Sequence, residues 1–136
     1  MDELSILKKL ETAPGASFEV LDATKSKRLG GVKTLYIPSV ADVAEVIRAI
    51  PEGETKTIED LRSDLAQIAK ADTACPAKTI KYWKWMANLS DEFLSKNSNY
   101  RIPWWRVLKD GRPSRHMPGG CENQILLLKA EGASKR

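Results

Sequence analysis

A chain of 136 residues has room for about one domain with one modest core. Its 22 Lys+Arg against 18 Asp+Glu give a net charge of +4, a mild basic excess that suits a polyanionic partner without identifying one. A single histidine, His116, and two cysteines without ligand spacing, Cys75 and Cys121, speak against a metal centre, a cofactor site or a histidine triad. The lack of a signal peptide or long apolar span points to a cytoplasmic monomer with reduced thiols and no membrane partner.

Residues 1–37 read as an N-terminal arm with a short helix or strand. Leu4, Leu7 and Leu10 recur briefly at helical spacing, then Pro14-Gly15, the basic run from Lys25 to Arg28 and Gly30-Gly31 suggest loose order. Lys33 to Ile37 suits a short strand closed by Pro38.

Residues 38–132 read as a folded domain, with 133–136 as a C-terminal tail. Ser39 caps a first core helix, with Asp42 three residues on and Val40, Val43, Ile47 and Ile50 at helical spacing before Pro51. Thr57 and Asp60 cap a second, whose Ile58, Leu61, Leu65 and Ile68 share a face. A third is expected from Pro76, suited to a first helical turn, to about Leu94. Its lysines Lys78, Lys81 and Lys84 alternate with Tyr82, Trp83, Trp85 and Met86, which fits either a solvated face over an aromatic core or a set of phosphate contacts.

Asp110-Gly111 between short β-compatible runs signals a tight hairpin, and Cys121 to Glu131 a last helix stopped by Gly132. The expected fold class is therefore mostly α with a small β-hairpin, in the element order of a winged helix-turn-helix DNA-binding domain.

Three segments carry a resemblance. Ile50-Pro51-Glu52-Gly53-Glu54-Thr55-Lys56-Thr57 is similar to the Ile-Pro-x-Gly-x-x-x-Thr opening of the DNA-binding domain of the O6-alkylguanine-DNA alkyltransferases, the methylated-DNA-protein-cysteine methyltransferase family. Ile102-Pro103-Trp104-Trp105-Arg106-Val107 stands where that family has Pro-Cys-His-Arg-Val. It resembles still more the alkyltransferase-like proteins, whose usual motif is Pro-Trp-His-Arg-Val. Leu127-Leu128-Lys129-Ala130-Glu131-Gly132 is similar to the closing Leu-Leu-x-x-Glu-Gly. The resemblance runs from about Pro38 to Gly132, without the separate N-terminal domain of full alkyltransferases.

This resemblance implies a non-enzymatic protein that senses O6-alkylguanine lesions in duplex DNA, with duplex DNA and repair proteins as partners. Trp104 occupies the acceptor position and has no nucleophilic atom, and Trp105 replaces the histidine that would activate a thiolate, so no alkyl transfer follows there. Both tryptophans would line the alkyl pocket; on composition alone they also fit core aromatics beneath the hairpin. The implied DNA-facing residues are Thr57, Ile58 in place of a tyrosine, Lys78 in place of a stacking arginine, Lys81, Arg106 and Arg112. Pro103 and Glu131 would be structural, and the family pattern also gives Arg106 an anchoring role toward backbone carbonyls and the terminal helix. The alternative is a generic winged-helix DNA-binding or regulatory module without a lesion pocket, favoured by the loss of the family tyrosine, arginine and histidine. Residual activity through Cys75 or Cys121 is the third reading; neither falls at the acceptor position.

Overall fold

A computed structural model describes residues 2–132; the expected tail at 133–136 lies outside the described residues. The chain opens with α1 (Glu3–Thr12), started by the Asp2 carboxylate, which accepts from the Ser5 amide at 2.8 Å. It continues through β1 (Ser17–Val20), α2 (Ala23–Arg28) and β2 (Thr34–Ile37). This is no loose arm. Ile6 and Leu10 on one stripe of α1 are buried in the main core, while Leu4, expected on the same stripe, is exposed. The stripe turned inward is the one facing the later helix Pro76–Ala87. Burial of two such aliphatic side chains contributes roughly 3–6 kcal/mol toward docking the helix on the core.

Three helices form the centre: α3 (Val40–Arg48), α4 (Ile58–Ala69) and α5 (Pro76–Ala87). Their starts follow from local chemistry. Ser39 with Asp42 and Thr57 with Asp60 each form a reciprocal capping box, satisfying two amides that a helix start otherwise leaves unpaired. Pro76 opens α5, where its missing N–H costs nothing. Val43, Ile47, Leu61, Leu65, Trp83 and Met86 interlock between the three. Ile68, expected on the packed face of α4, is 73% exposed; in that last turn the buried side chain is Ala66.

The third helix ends earlier than its apolar pattern suggests. The Asn88 side chain folds back to donate to the Lys84 carbonyl at 2.7 Å, the chain turns through Leu89, and α6 (Asp91–Lys96) starts a new helix. Leu89 and Leu94 are buried on both sides of the break, so hydrophobic periodicity continues where the backbone does not.

Two small sheets join segments far apart in sequence. β2 pairs with β1 antiparallel and with β4 (Thr73–Ala74) parallel, which sets the N-terminal segment against the connection into α5; the Cys75 amide donates to the Tyr36 carbonyl at 2.9 Å. β3 (Lys56–Thr57) pairs parallel with β5 (Val107–Leu108). Helix α7 (Gly120–Ala130) closes the chain, and single 3-10 turns occupy Ser98–Tyr100 and Trp104–Arg106. The protein is mostly helical with short strands.

The expected hairpin is reduced to its turn. Asp110 and Gly111 both take left-handed backbone angles, φ 54° and 74°, and Lys109 and Arg112 exchange two backbone hydrogen bonds of 3.1 Å. The ladder stops there. Its next hydrogen-bonded pair would be Val107 with Ser114, and the Gln124 side chain stands between them: Gln124 Nε2 donates to the Val107 carbonyl at 2.7 Å and Gln124 Oε1 accepts from the Ser114 amide at 2.9 Å. One side-chain amide thus replaces a direct strand pairing.

Candidate nucleic-acid interface

The Trp104-Trp105-Arg106 turn is fixed from both sides. Pro103 precedes it and its carbonyl accepts from the Arg106 amide at 3.1 Å. The Arg106 guanidinium then reaches two distant segments. Its Nη1 donates to the Ile50 carbonyl at 2.8 Å, while Nε and Nη2 meet the Glu131 carboxylate at 2.9–3.0 Å. The two side chains are only 15% and 10% exposed. Such a buried pair is favourable only when its remaining hydrogen-bonding capacity is also filled. It is filled here: Trp105 Nε1 donates to Glu131 at 2.5 Å, and the Gly53 amide lies 3.4 Å from its other oxygen. Gly53 has φ +86°, a backbone angle that glycine adopts without strain. Burial alone would push the Glu131 carboxyl up, but hydrogen bonds from Arg106, Trp105 and Gly53 outweigh it and hold the group below its ordinary range. Arg106, named above among the DNA-facing residues, is therefore an internal anchor whose guanidinium nitrogens are taken up by the protein itself.

Gln124 is the residue that sequence reasoning missed. It is fully buried, and besides Val107 and Ser114 it holds the Trp105 carbonyl through Nε2 at 3.0 Å. The signal was its position four residues before Leu128 on the inward face of α7, where an amide has to find several partners.

Trp104 and Trp105 meet edge to face, with ring centroids 5.9 Å apart at 84°. Trp83 of α5 donates its indole N–H to the Trp104 carbonyl at 3.0 Å, tying the turn to the central helices. Trp104 stays half-buried and lines a cleft of about 600 Å3, whose apolar wall includes Met86, Leu89, Leu94, Ile102 and Pro103. Trp105 reaches the same cleft, and the Arg101–Asp91 ion pair, 3.1 Å, stands at its rim. The cleft lies at the last turn of α5, between that helix, α6 and α7.

Lys78 and Lys81 lie toward the start of α5, away from the cleft, while Lys84 stands in its last turn. Lys78 Nζ lies 5.8 Å from the Tyr82 ring centroid and Lys81 Nζ 5.4 Å from that of Trp85, so their stems cover aromatic surface while the charges face out. Among the described residues neither lysine meets a carboxylate within 4 Å. From Lys78 to Met86 at the cleft the helix rises about 12 Å. Arg112, just past the Asp110-Gly111 turn, is exposed beside Lys109 and Arg115.

Besides Arg106, two more of the DNA-facing expectations change in the structure. Ile58 is 3% exposed and belongs to the core, because the capping box at Thr57 turns the first residue of α4 inward; it has no surface to press on a backbone. Thr57 is half-buried and its hydroxyl accepts from the Asp60 amide at 3.1 Å, so its oxygen is already used as a cap. Cys75 and Cys121 are both half-buried free thiols; Cys121 Sγ lies 3.4 Å from the Pro113 carbonyl. Among the described residues there is no cluster of three or more His, Cys, Asp or Glu placed to hold a metal ion, and no helix long and apolar enough to cross a membrane.

Comparison with known protein families, curated proteins and solved structures finds no match to this chain.

Proposed function

We propose that this protein is an alkyltransferase-like DNA-binding protein that senses O6-alkylguanine in duplex DNA and transfers nothing. One observation carries the reading. The three segments of the resemblance, joined by hydrogen bonds across up to 78 positions, converge on one point: the Ile50 carbonyl, the Gly53 amide, Trp105, Arg106 and Glu131 form a single hydrogen-bonded knot that presents Trp104 on the wall of an apolar cleft. In this reading α3, α4 and α5 with the Asp110-Gly111 turn act as a winged helix with a minimal wing. Lys78, Lys81 and Arg112 meet phosphates, and Trp104 with Trp105 receives the O6-alkyl group. Extruding a base costs a few kcal/mol, least at a damaged pair, so selectivity needs no chemistry. Trp104 offers no nucleophile, and the Trp105 indole can donate a hydrogen bond but cannot accept a proton.

The test compares an O6-methylguanine duplex with its unmodified twin by fluorescence anisotropy. Alkyl burial and the weakened base pair should favour the lesion by about 1–3 kcal/mol, and Trp104→Ala should remove that preference while the plain duplex, held through its backbone, loses far less. Intact mass after incubation should be unchanged. Equal binding of the two duplexes by the unaltered protein leaves the generic winged-helix module as the reading; a gain of one methyl group in mass overturns the non-enzymatic one.

A further inference from the structure

The N-terminal helix brings a lysine to the same indole that carries Lys81. Lys9 of α1 lies with Nζ 5.7 Å from the Trp85 ring centroid, and Lys81 of α5 with Nζ 5.4 Å from it. Two ammonium groups thus share one aromatic ring, and among the described residues neither has a carboxylate within 4 Å. Like charges gathered this way repel, and side-chain freedom would let them part unless something offsets the cost. The ring quadrupole offsets part of it and limits the positions of both ammoniums. An anion reached by both would offset more. The placement itself comes from packing: Ile6 and Leu10 anchor α1 in the core, so Lys9, between them and exposed, is carried on a fixed scaffold.

We infer that Lys9 and Lys81 together take a backbone phosphate of duplex DNA over Trp85, making α1 part of the DNA-binding surface beside α5. The inference rests on the reading that the lysine face of α5 meets DNA. It goes beyond that reading, which gives the first 37 residues no part in binding. Lys78, one turn earlier on α5 and seated on Tyr82, would then hold a neighbouring phosphate, and the footprint would run across two helices.

The experiment uses the full chain and an unmodified duplex, with affinity measured from about 50 to 200 mM salt. Variants are Lys9→Gln, Lys81→Gln and, as a reference, Lys25→Gln, whose charge is already met by Glu19 at 2.9 Å. Glutamine keeps most of the stem, and thermal unfolding checks that α1 stays docked. Because the two lysines share one phosphate, Lys9→Gln should weaken duplex binding and reduce the slope of log affinity against log salt by up to about one unit, much as Lys81→Gln does, while Lys25→Gln leaves both alone. An unchanged slope for Lys9→Gln beside a reduced one for Lys81→Gln overturns the role of α1 and leaves α5 in place. Unchanged slopes for both, or no duplex binding at all, overturn the inference together with the surface it rests on. Lesion preference is read separately on the alkylated duplex, so a protein that binds both duplexes alike but loses slope with Lys9→Gln would retain this surface and lose only lesion sensing.

Discussion

The tryptophan turn and the lysine face of α5 are built on opposite terms. Around Trp105, Arg106 and Glu131 the polar groups find partners inside the protein, and Gln124 uses both amide hydrogens and its oxygen on backbone atoms. Among the described residues, Lys78 and Lys81 have no carboxylate partners, only aromatic rings under their stems. A group satisfied internally contributes to shape and has little left for a ligand, whereas an unmatched charge on a fixed stem contributes little to folding and much to a partner of opposite sign. The difference explains why Arg106, basic and in the most distinctive motif, belongs with the architecture.

Substitutions should separate the two regions cleanly. Arg106→Ala leaves the Glu131 carboxylate and the Ile50 carbonyl without their principal partner, and should cost about 3–5 kcal/mol in denaturant unfolding. A loss under 1 kcal/mol would show that the knot is not what holds the turn. Gln124→Ala strands the Trp105 and Val107 carbonyls and the Ser114 amide, for an expected loss of about 1–3 kcal/mol. Part of that would be recovered if Val107 and Ser114 then pair directly, which a new protected amide in hydrogen exchange would report.

Acid acts on the same knot more gently. Because the folded protein holds Glu131 below its ordinary value of 4.5, the stability it contributes is fully present above that value and is lost as pH falls through the lower folded-state value. Unfolding free energy measured from pH 7 to pH 3 should therefore drop in the acid range, and Glu131→Gln, less stable at neutral pH, should show a shallower drop. The smallest effect on stability is expected on the other side of the comparison. Lys78→Ala with Lys81→Ala should change unfolding free energy by no more than about 0.5 kcal/mol per site. The same double variant should weaken duplex binding and reduce its salt slope by roughly one to two units. If it unfolds the protein instead, the lysine stems over Tyr82 and Trp85 carry the helix and the division between the two regions fails.

What could be read from the sequence follows the range of the interactions. Caps at Ser39 and Thr57, the proline opening α5, the Asp110-Gly111 turn and the start of α7 are decided within four or five residues and were legible. The parallel pairings of β2 with β4 and of β3 with β5 were not, because β3, β4 and β5 have two residues each, too few to carry periodicity, and the paired segments lie more than 35 positions apart. The break after Ala87 was hidden for a related reason: Leu89 and Leu94 keep the apolar pattern going while Asn88 ends the hydrogen-bonding. At the candidate site, the anchoring of Arg106 and Glu131 followed from the resemblance; for Ile58 the resemblance pointed to the DNA-facing surface and the apolar stripe of the second helix to the core. Helical phase after the cap turned it inward.

Gln124 also bears on how this protein could change over generations. The reach of the loop carrying Arg112 and Arg115 is limited by a single amide inserted from α7, rather than by the residues of the loop or of β5. Lengthening the paired ribbon would not require new strand residues, only a smaller side chain at one helical position and a partner for the Trp105 carbonyl. Loop geometry can therefore vary through a helix that need never approach a ligand, and comparison of loop sequences alone would overlook the cause.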